Sequence, residues 1–191
     1  MPRMTEAEKR KSHKRILDAA AYLFREQGTE TTSVADVMKA AGLTHGGFYR
    51  HFSSKDELVA AAFKNAVDNV LAEMESASSK AQLQATRDSY IETYLSQCHV
   101  KNRGEGCPLA ALAGDLSRGA SDARHEGFNA VERVAALLKE GEDQSEGIAM
   151  LALMLGTVTL ARLADTDASA DAILDAGSKG VDIFRSSWPA N

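Results

Sequence analysis

The sequence is short of the residues that most functional classes depend on. It holds 3 prolines, 2 cysteines and 1 tryptophan in 191 residues, and aromatics make up only 6%. Two cysteines, Cys98 and Cys107, are too few for a disulfide scaffold and point to a reducing compartment. Scarce proline with abundant alanine favours helix, because proline is costly inside a helix and alanine is not. Period-two runs of Val, Ile and Thr are absent, so strands are not expected. There is no glycine-rich phosphate loop, no His-Glu-x-x-His pair and no evident nucleophile–base set. Five scattered histidines and two cysteines lack the spacing of metal ligands. An enzyme is therefore not expected, nor a cofactor, nor a metal. The N-terminus is charged and has no apolar signal region. The richest apolar run, Ile148–Leu163, is interrupted by Gly156, Thr157, Thr159 and Arg162 and falls short of a membrane span. A soluble cytoplasmic chain is the expectation.

What is present is ordinary in amount and uneven in placement. Hydrophobic residues are 44% and charged residues 26%, a globular balance. A chain of this length buries about 70% of its unfolded surface and needs no staples. The net charge of −5 hides a division. Residues 1–60 carry 10 Lys/Arg against 8 Asp/Glu, whereas residues 61–191 carry 12 against 19. The first 25 residues alone hold 7 basic and 3 acidic groups, and three of the five histidines precede residue 60. The average argues against a nucleic-acid partner, but the distribution allows one for the N-terminal part.

Apolar residues recur at steps of three and four along nearly the whole chain. After a loose arm over residues 1–8, helices are expected near 9–27, 33–40, 44–51, 55–74, 82–99, 109–116, 122–138, 146–163 and 170–186. The chain is thus read as all-α, with about nine helices. Gly28 and Gly42 are the stops, Thr31 and Thr32 are cap candidates for the second helix, and Pro108 suits the first turn of a helix. The three parts are a helix-turn-helix unit over 9–54, a linking helix over 55–74 and a second helical domain over 75–191.

The segment 33–51 carries the functional signal. A helix of about eight residues ends in Ala41-Gly42-Leu43, and a short helix follows the turn. That spacing is a helix-turn-helix, whose second helix enters the major groove. Gly46 lets backbone approach the duplex, and Thr44 and His45 lie where base edges or phosphates are met. Tyr49, His51 and Lys55 offer donors to phosphate oxygens, and Thr32 does so at the start of the preceding helix. Each has a plainer reading: Tyr49 as core, His51 as a satisfied cap, Arg50 and the Lys9–Arg15 block as a solvated face.

These residues resemble a known family. The runs Arg15–Ala20 and Leu23–Gly28, followed by Thr31–Leu58, are similar to the opening of TetR/AcrR-type transcriptional regulators. The matching features are Thr31-Thr32-Ser33, Ala41-Gly42-Leu43, Phe48-Tyr49, His51-Phe52, Lys55 and Leu58. The resemblance implies a homodimer on a palindromic double-stranded DNA operator, most often a repressor. It places Thr44, His45 and Gly46 against bases or the groove floor, and Tyr49, His51, Lys55 and Thr32 against phosphate. It also implies a C-terminal domain that binds a small-molecule effector and shifts the reading heads. His45-Gly46-Gly47 offers fewer side chains for base readout than many members have.

For that domain, a mostly apolar pocket lined by Tyr90, Tyr94, Cys98, Leu112, Leu116, Phe128, Val131 and Met150 is expected, with ordinary core packing as the competing role for each. Cys107, just ahead of Pro108 at a helix start and near Lys101 and Arg103, has two readings. It is a small buried hydrophobe or a reactive thiol sensing oxidants or electrophiles. Cys98 is expected inside a helix as a structural residue. The last two long helices are the expected dimer contact, through Met150, Leu153, Met154, Gly156, Thr157 and Leu160 on one and Ile173, Gly177, Gly180, Val181 and Phe184 on the other. An activator, or a helical interaction module without DNA binding, are the other readings.

Overall fold

The computed structural model describes residues 5–188. Nine α-helices and two short 3-10 helices make up the described chain, with no strand among these residues. The helices are α1 (Glu6–Gln27), α2 (Val34–Ala40), α3 (Lys55–Glu75), α4 (Lys80–Tyr94), α5 (Gln97–Lys101), α6 (Pro108–Arg118), α7 (Ser121–Leu138), α8 (Gln144–Ala161) and α9 (Asp167–Ser187). The 3-10 segments are His45–Arg50 and Arg103–Glu105.

Local chemistry accounts for most of these boundaries. Thr5 and Glu8 form a capping box that starts α1 at Glu6, so the helix reaches into the segment expected to be a loose arm. Gly28 and Gly42 both take positive φ, 87° and 66°, a region that other residues enter only at a cost. The helix expected over 82–99 is instead two helices. Leu95 leaves helical geometry, and the Ser96 hydroxyl accepts from the His99 N–H to begin α5 anew. A serine cap within an apolar stretch leaves no glycine or proline to mark the break.

One buried cluster runs from the N-terminal unit through α8, and a smaller one, Ala161, Ala170 and Leu174, joins the end of α8 to the start of α9. Ile16, Phe24, Val37, Phe48, Leu58 and Phe63 form the buried centre of the N-terminal unit. Through Val67, Leu71 and Met74 of α3 the same cluster runs on to Leu109, Leu112, Val134, Leu138, Met154 and Val158. Arg133 of α7 grips α3 at both ends of one face, donating to Asp68 and to Glu75. Gly147 lies against the Ala135 carbonyl and Gly177 against Thr157. These close approaches bring α8 against α7 and α9 against α8.

Helix α8 corrects two expectations. Over 18 residues its mean hydropathy is 1.3, long and apolar enough by length and composition to cross a membrane, contrary to the reading of its sequence. It packs between α7 and α9, and 44% of that window is buried inside the protein. Five of the eleven residues expected at the dimer contact of α8 and α9 are turned inward. Met150, Met154 and Thr157 are buried, and on α9 so are Gly177 and Val181. The large apolar residues left on the surface are Ile148, Leu160 and Leu163 near α8 and Ile183 on α9.

Candidate functional site

The reading unit is built on α1 and α2. Ser33 caps α2 and Asp36 returns the bond to the Ser33 backbone, which fixes where α2 begins. Gly42 turns the chain beneath the Arg15 guanidinium, and Phe48 anchors the 3-10 helix to the core at 1% exposure. The expected second reading helix is thus a tight 3-10 turn, and Thr44 at its start makes no side-chain cap. Around that anchor Thr44, His45, Gly46, Tyr49 and Arg50 all face solvent. Tyr49 is 72% exposed, its ring resting edge-on against Phe48, so the core alternative for it is excluded. A Cβ at Gly46 would meet nothing within 4 Å.

Three flanking positions differ from one another. Lys55 opens α3 and its ammonium lies 3.5 Å from the Glu30 carbonyl. His51 is half-buried between His13 and the end of the turn, with Nδ1 buried and unpartnered. Burial, and then the positive groups His13, Lys9 and Arg50, hold its pKa below the ordinary imidazole value. Thr32 is a correction. It is fully buried, and its hydroxyl donates to the Gly28 carbonyl at 2.9 Å. Its side chain therefore ties α1's end to α2 and does not reach a phosphate; Ser33 is the cap.

A second constellation joins this unit to the rest. The Arg25 guanidinium donates to the Gly106 carbonyl at 2.8 Å. The Gly104 N–H donates to Glu26 at 3.0 Å, and the Tyr22 ring lies over Gly104. The Asp115 carboxylate of α6 accepts from both the N–H and the hydroxyl of Thr29, each at 2.9 Å. The last turn of α1 and the loop leading to α2 are thus pinned to residues 104–106 and to α6.

Residues 105–107 are also part of the wall of a cavity of about 340 Å³, lined by Val70, Tyr90, Thr93, Tyr94, Cys98, His99, Asn102, Glu105, Gly106 and Cys107. Of the expected lining, Tyr90, Tyr94 and Cys98 are there. The others are not, which corrects the reading. Leu112 and Met150 are sealed in the core, and Leu116 lies beside a separate cleft at Asp115 and Lys55. Val131 packs half-buried against the core, and Phe128 is 61% exposed. Cys98 is exposed rather than held within a long helix, and its sulfur accepts from Asn102. His99, unremarked in the sequence, organises the wall. Its Nδ1 meets the Tyr94 carbonyl at 2.7 Å and its Nε2 accepts from the Cys107 N–H at 2.9 Å. Desolvation lowers its pKa, which suits a neutral ring. Cys107 is 5% exposed and makes part of the wall. A lone histidine in an amphipathic stretch gives no sign of this in sequence, because its two partners come from five residues before and eight after. Among the described residues no group of three or more His, Cys, Asp or Glu is placed to hold a metal ion.

Comparison with known proteins agrees with this arrangement. Residues 16–62 match the model of the bacterial regulatory proteins, tetR family. The chain is 29% identical over 154 residues to YfiR of Bacillus subtilis (strain 168), an uncharacterized HTH-type transcriptional regulator, covering 76% of this chain and 72% of that protein. It is 37% identical over 70 residues to the HTH-type transcriptional regulator AcrR of Shigella flexneri, covering 37% of this chain and 33% of AcrR. Among solved structures, a TetR transcriptional regulator from Chloroflexus aurantiacus superposes with a TM-score of 0.70 at 21% identity, over 92% of this chain and 96% of that one. Reduced NemR of E. coli gives 0.68 at 19% identity, over 89% and 97%. The matched segment carries the exposed reading turn, and the chain as a whole shares the fold of the TetR regulators it superposes on, so in both respects it resembles the TetR family of transcriptional regulators.

Proposed function

We propose that the protein is a homodimeric repressor of a palindromic operator, released when a small molecule occupies the cavity at Tyr90, Tyr94 and Cys107. The observation that carries this is the double role of the loop at residues 104–107. Residues 105–107 line the cavity, while Gly106 and Gly104 are bonded to Arg25 and Glu26 of α1. A ligand that moves the loop acts on the helix that supports the reading turn. In these terms residues 9–54 are the reader, 55–74 the linking helix and 75–191 the effector and dimer domain. Val70 of the linking helix also lines the cavity, which gives a second route to the reader. Thr44, His45 and Gly46 face bases or the groove floor; Tyr49, His51 and Lys55 hold phosphate. A cytoplasmic location goes with an operator as the partner.

The dimer contact follows from what α8 and α9 leave uncovered. Ile148, Leu160, Leu163 and Ile183 are 44%, 57%, 75% and 66% exposed. A second copy meeting this face buries them in a symmetric contact. The two reading turns then sit one DNA turn apart, roughly 34–36 Å or a multiple of it. Operator selection followed by fluorescence anisotropy at several salt concentrations tests the reading. Salt-sensitive binding of two protomers per palindrome is expected, and binding of one protomer with no dependence on salt refutes it.

A second reading rests on Cys107. Its thiol lies in the cavity wall beside both tyrosines, where an oxidant or electrophile entering the cavity would meet it. Operator release by iodoacetamide in the wild type and not in Cys107→Ser supports that route. A Cys107 that labels no faster than a model peptide rules it out.

A further inference from the structure

The cavity wall contains two phenol hydroxyls with no oxygen or nitrogen to bond to among the described residues. Tyr90 and Tyr94 stand one turn apart on α4, their ring centroids 5.6 Å from each other. Tyr94 is only 3% exposed. Both hydroxyl oxygens are buried, and among the described residues neither has a partner stronger than the neighbouring Cys107 thiol, a weak acceptor. Buried polar groups are almost always satisfied, so an unsatisfied pair in a cavity wall points to something that binds there. Desolvation, with the neighbouring Cys107 thiol adding to it, pushes both phenols well above their ordinary pKa. Both therefore stay protonated at neutral pH and each keeps an O–H to donate.

The rest of the wall restricts what the pair can recognise. His99 has both ring nitrogens engaged and offers the cavity no further bond. Neither nearby guanidinium lines the cavity. Arg25 donates to the Ala21 and Gly106 carbonyls, and Arg162 donates through its two terminal nitrogens to those of His99 and Ala110, its Nε being buried and unpartnered among the described residues. The charged side chain in the lining is Glu105, which is exposed. A buried anion would find no cation here and would face a carboxylate at the rim. A carbonyl oxygen carries two lone pairs and can accept from both hydroxyls at once. The ring of Tyr94 packs edge-on against His99 at 4.4 Å, and with Val70, Tyr90 and Gly106 it makes much of the lining apolar, which suits a molecule that is apolar apart from its acceptor.

Resting on the effector reading above, we propose that this cavity binds a neutral, largely apolar carbonyl compound of the ketone or lactone type. Its oxygen accepts from the Tyr90 and Tyr94 hydroxyls, and no covalent bond to Cys107 is formed. The tyrosine pair selects for the oxygen, and the apolar part of the lining selects for the carbon skeleton.

Calorimetric titration of the full chain with matched pairs tests this. 1-Tetralone against tetralin, and fluorenone against fluorene, differ in the carbonyl oxygen on a shared carbon skeleton. Each ketone is expected to bind about tenfold or more tightly than its hydrocarbon, because a site built to donate hydrogen bonds discriminates against a ligand that lacks the acceptor. Tyr94→Phe is expected to reduce the preference, and Tyr90→Phe with Tyr94→Phe to abolish it. Thermal melts of both variants show that they remain folded, and the single variant serves if the double does not fold. The mass of the ketone-treated protein should be unchanged. Equal affinity within pairs, no binding of either ketone, a preference that survives the double variant, or an adduct on Cys107 overturns the inference. Operator binding without any compound is measured in parallel. A protein that holds its operator and ignores ketones refutes the ligand class alone. Ketone binding without operator release refutes the release reading alone.

Discussion

Replacing Asp115 probes the joint between α6 and the loop that leads from α1 to α2. One carboxylate oxygen accepts two bonds from Thr29 at 2.9 Å each, and the Asp115 side chain is 24% exposed. Its contact with Arg118, at 3.3 Å and with Arg118 71% exposed, adds little. A net hydrogen bond to a charged group is worth about 1.5–3 kcal/mol when buried, and partial exposure lowers that. Asp115→Ala also strands the Thr29 N–H. We therefore expect a loss of about 2 kcal/mol, which in a chain of this size lowers Tm by about 4–8 °C. Asp115→Asn keeps an acceptor oxygen and loses the charge, so about half of that loss is expected. Thr29→Val removes the hydroxyl bond and leaves the N–H bond. A double-mutant cycle with Asp115→Ala should return a coupling of about 0.5–1 kcal/mol. The assay is urea unfolding followed by far-ultraviolet circular dichroism, with operator affinity measured on the same samples. Because Thr29 leads into α2, Asp115→Ala should also weaken operator binding at temperatures where the protein remains folded. A change in stability below about 0.5 kcal/mol, with affinity intact, refutes the idea that this joint fixes the reader.

Other outcomes are expected from individual side chains. Tyr49→Phe and Lys55→Ala should weaken operator binding by a similar factor at all sequences, whereas His45→Ala should change the preferred sequence; anisotropy against a set of selected operators separates the two. Tyr94→Phe removes a buried hydroxyl that has no oxygen or nitrogen partner among the described residues, and should raise the stability of the ligand-free protein by about 1 kcal/mol; a loss of that size would mean the hydroxyl is satisfied. Burial holds the pKa of His99 below its unfolded value, and the same sign applies to His51. In such a case the unfolded chain binds protons first. The stability is present above the ordinary histidine value near 6.5 and is lost as pH falls through the folded value. Denaturation midpoints should therefore fall from pH 7 to pH 5, and less steeply in His99→Gln. An equal slope in that variant removes His99 from the cause.

Helices with one apolar stripe and glycine stops could be read from sequence, because the periodicity and the left-handed turns are local properties. The turn at Gly42 and the stop at Gly28 are of this kind. The break at Leu95–Ser96 is local too, but a serine cap is a weak signal inside an apolar stretch. The inward face of α8 was not legible for a different reason. The helix is apolar nearly all round, so spacing could not say which side met α7 and α9 and which stayed open. Thr32 was placed correctly beside α2, yet a threonine one residue before the true cap has the same composition signal as the cap. The cavity was partly visible through Tyr90, Tyr94 and Cys98, which lie on adjacent turns of the chain. Its remaining wall comes from a loop held by α1 far away in sequence. Leu112, Leu116 and Met150 looked equally suitable because apolar residues serve core and cavity alike.

The unbroken core along α3 has a consequence for how the protein melts. No seam separates Phe48 and Phe63 from Met74 and Leu138, so heat should not release the reader while the rest persists. A single calorimetric peak is the natural outcome, with a calorimetric enthalpy equal to the van't Hoff value. Whatever grips either end then lifts that one peak. An operator and an effector each report through the same transition, and a difference between their joint and separate shifts measures, in heat alone, how strongly the two ends oppose each other.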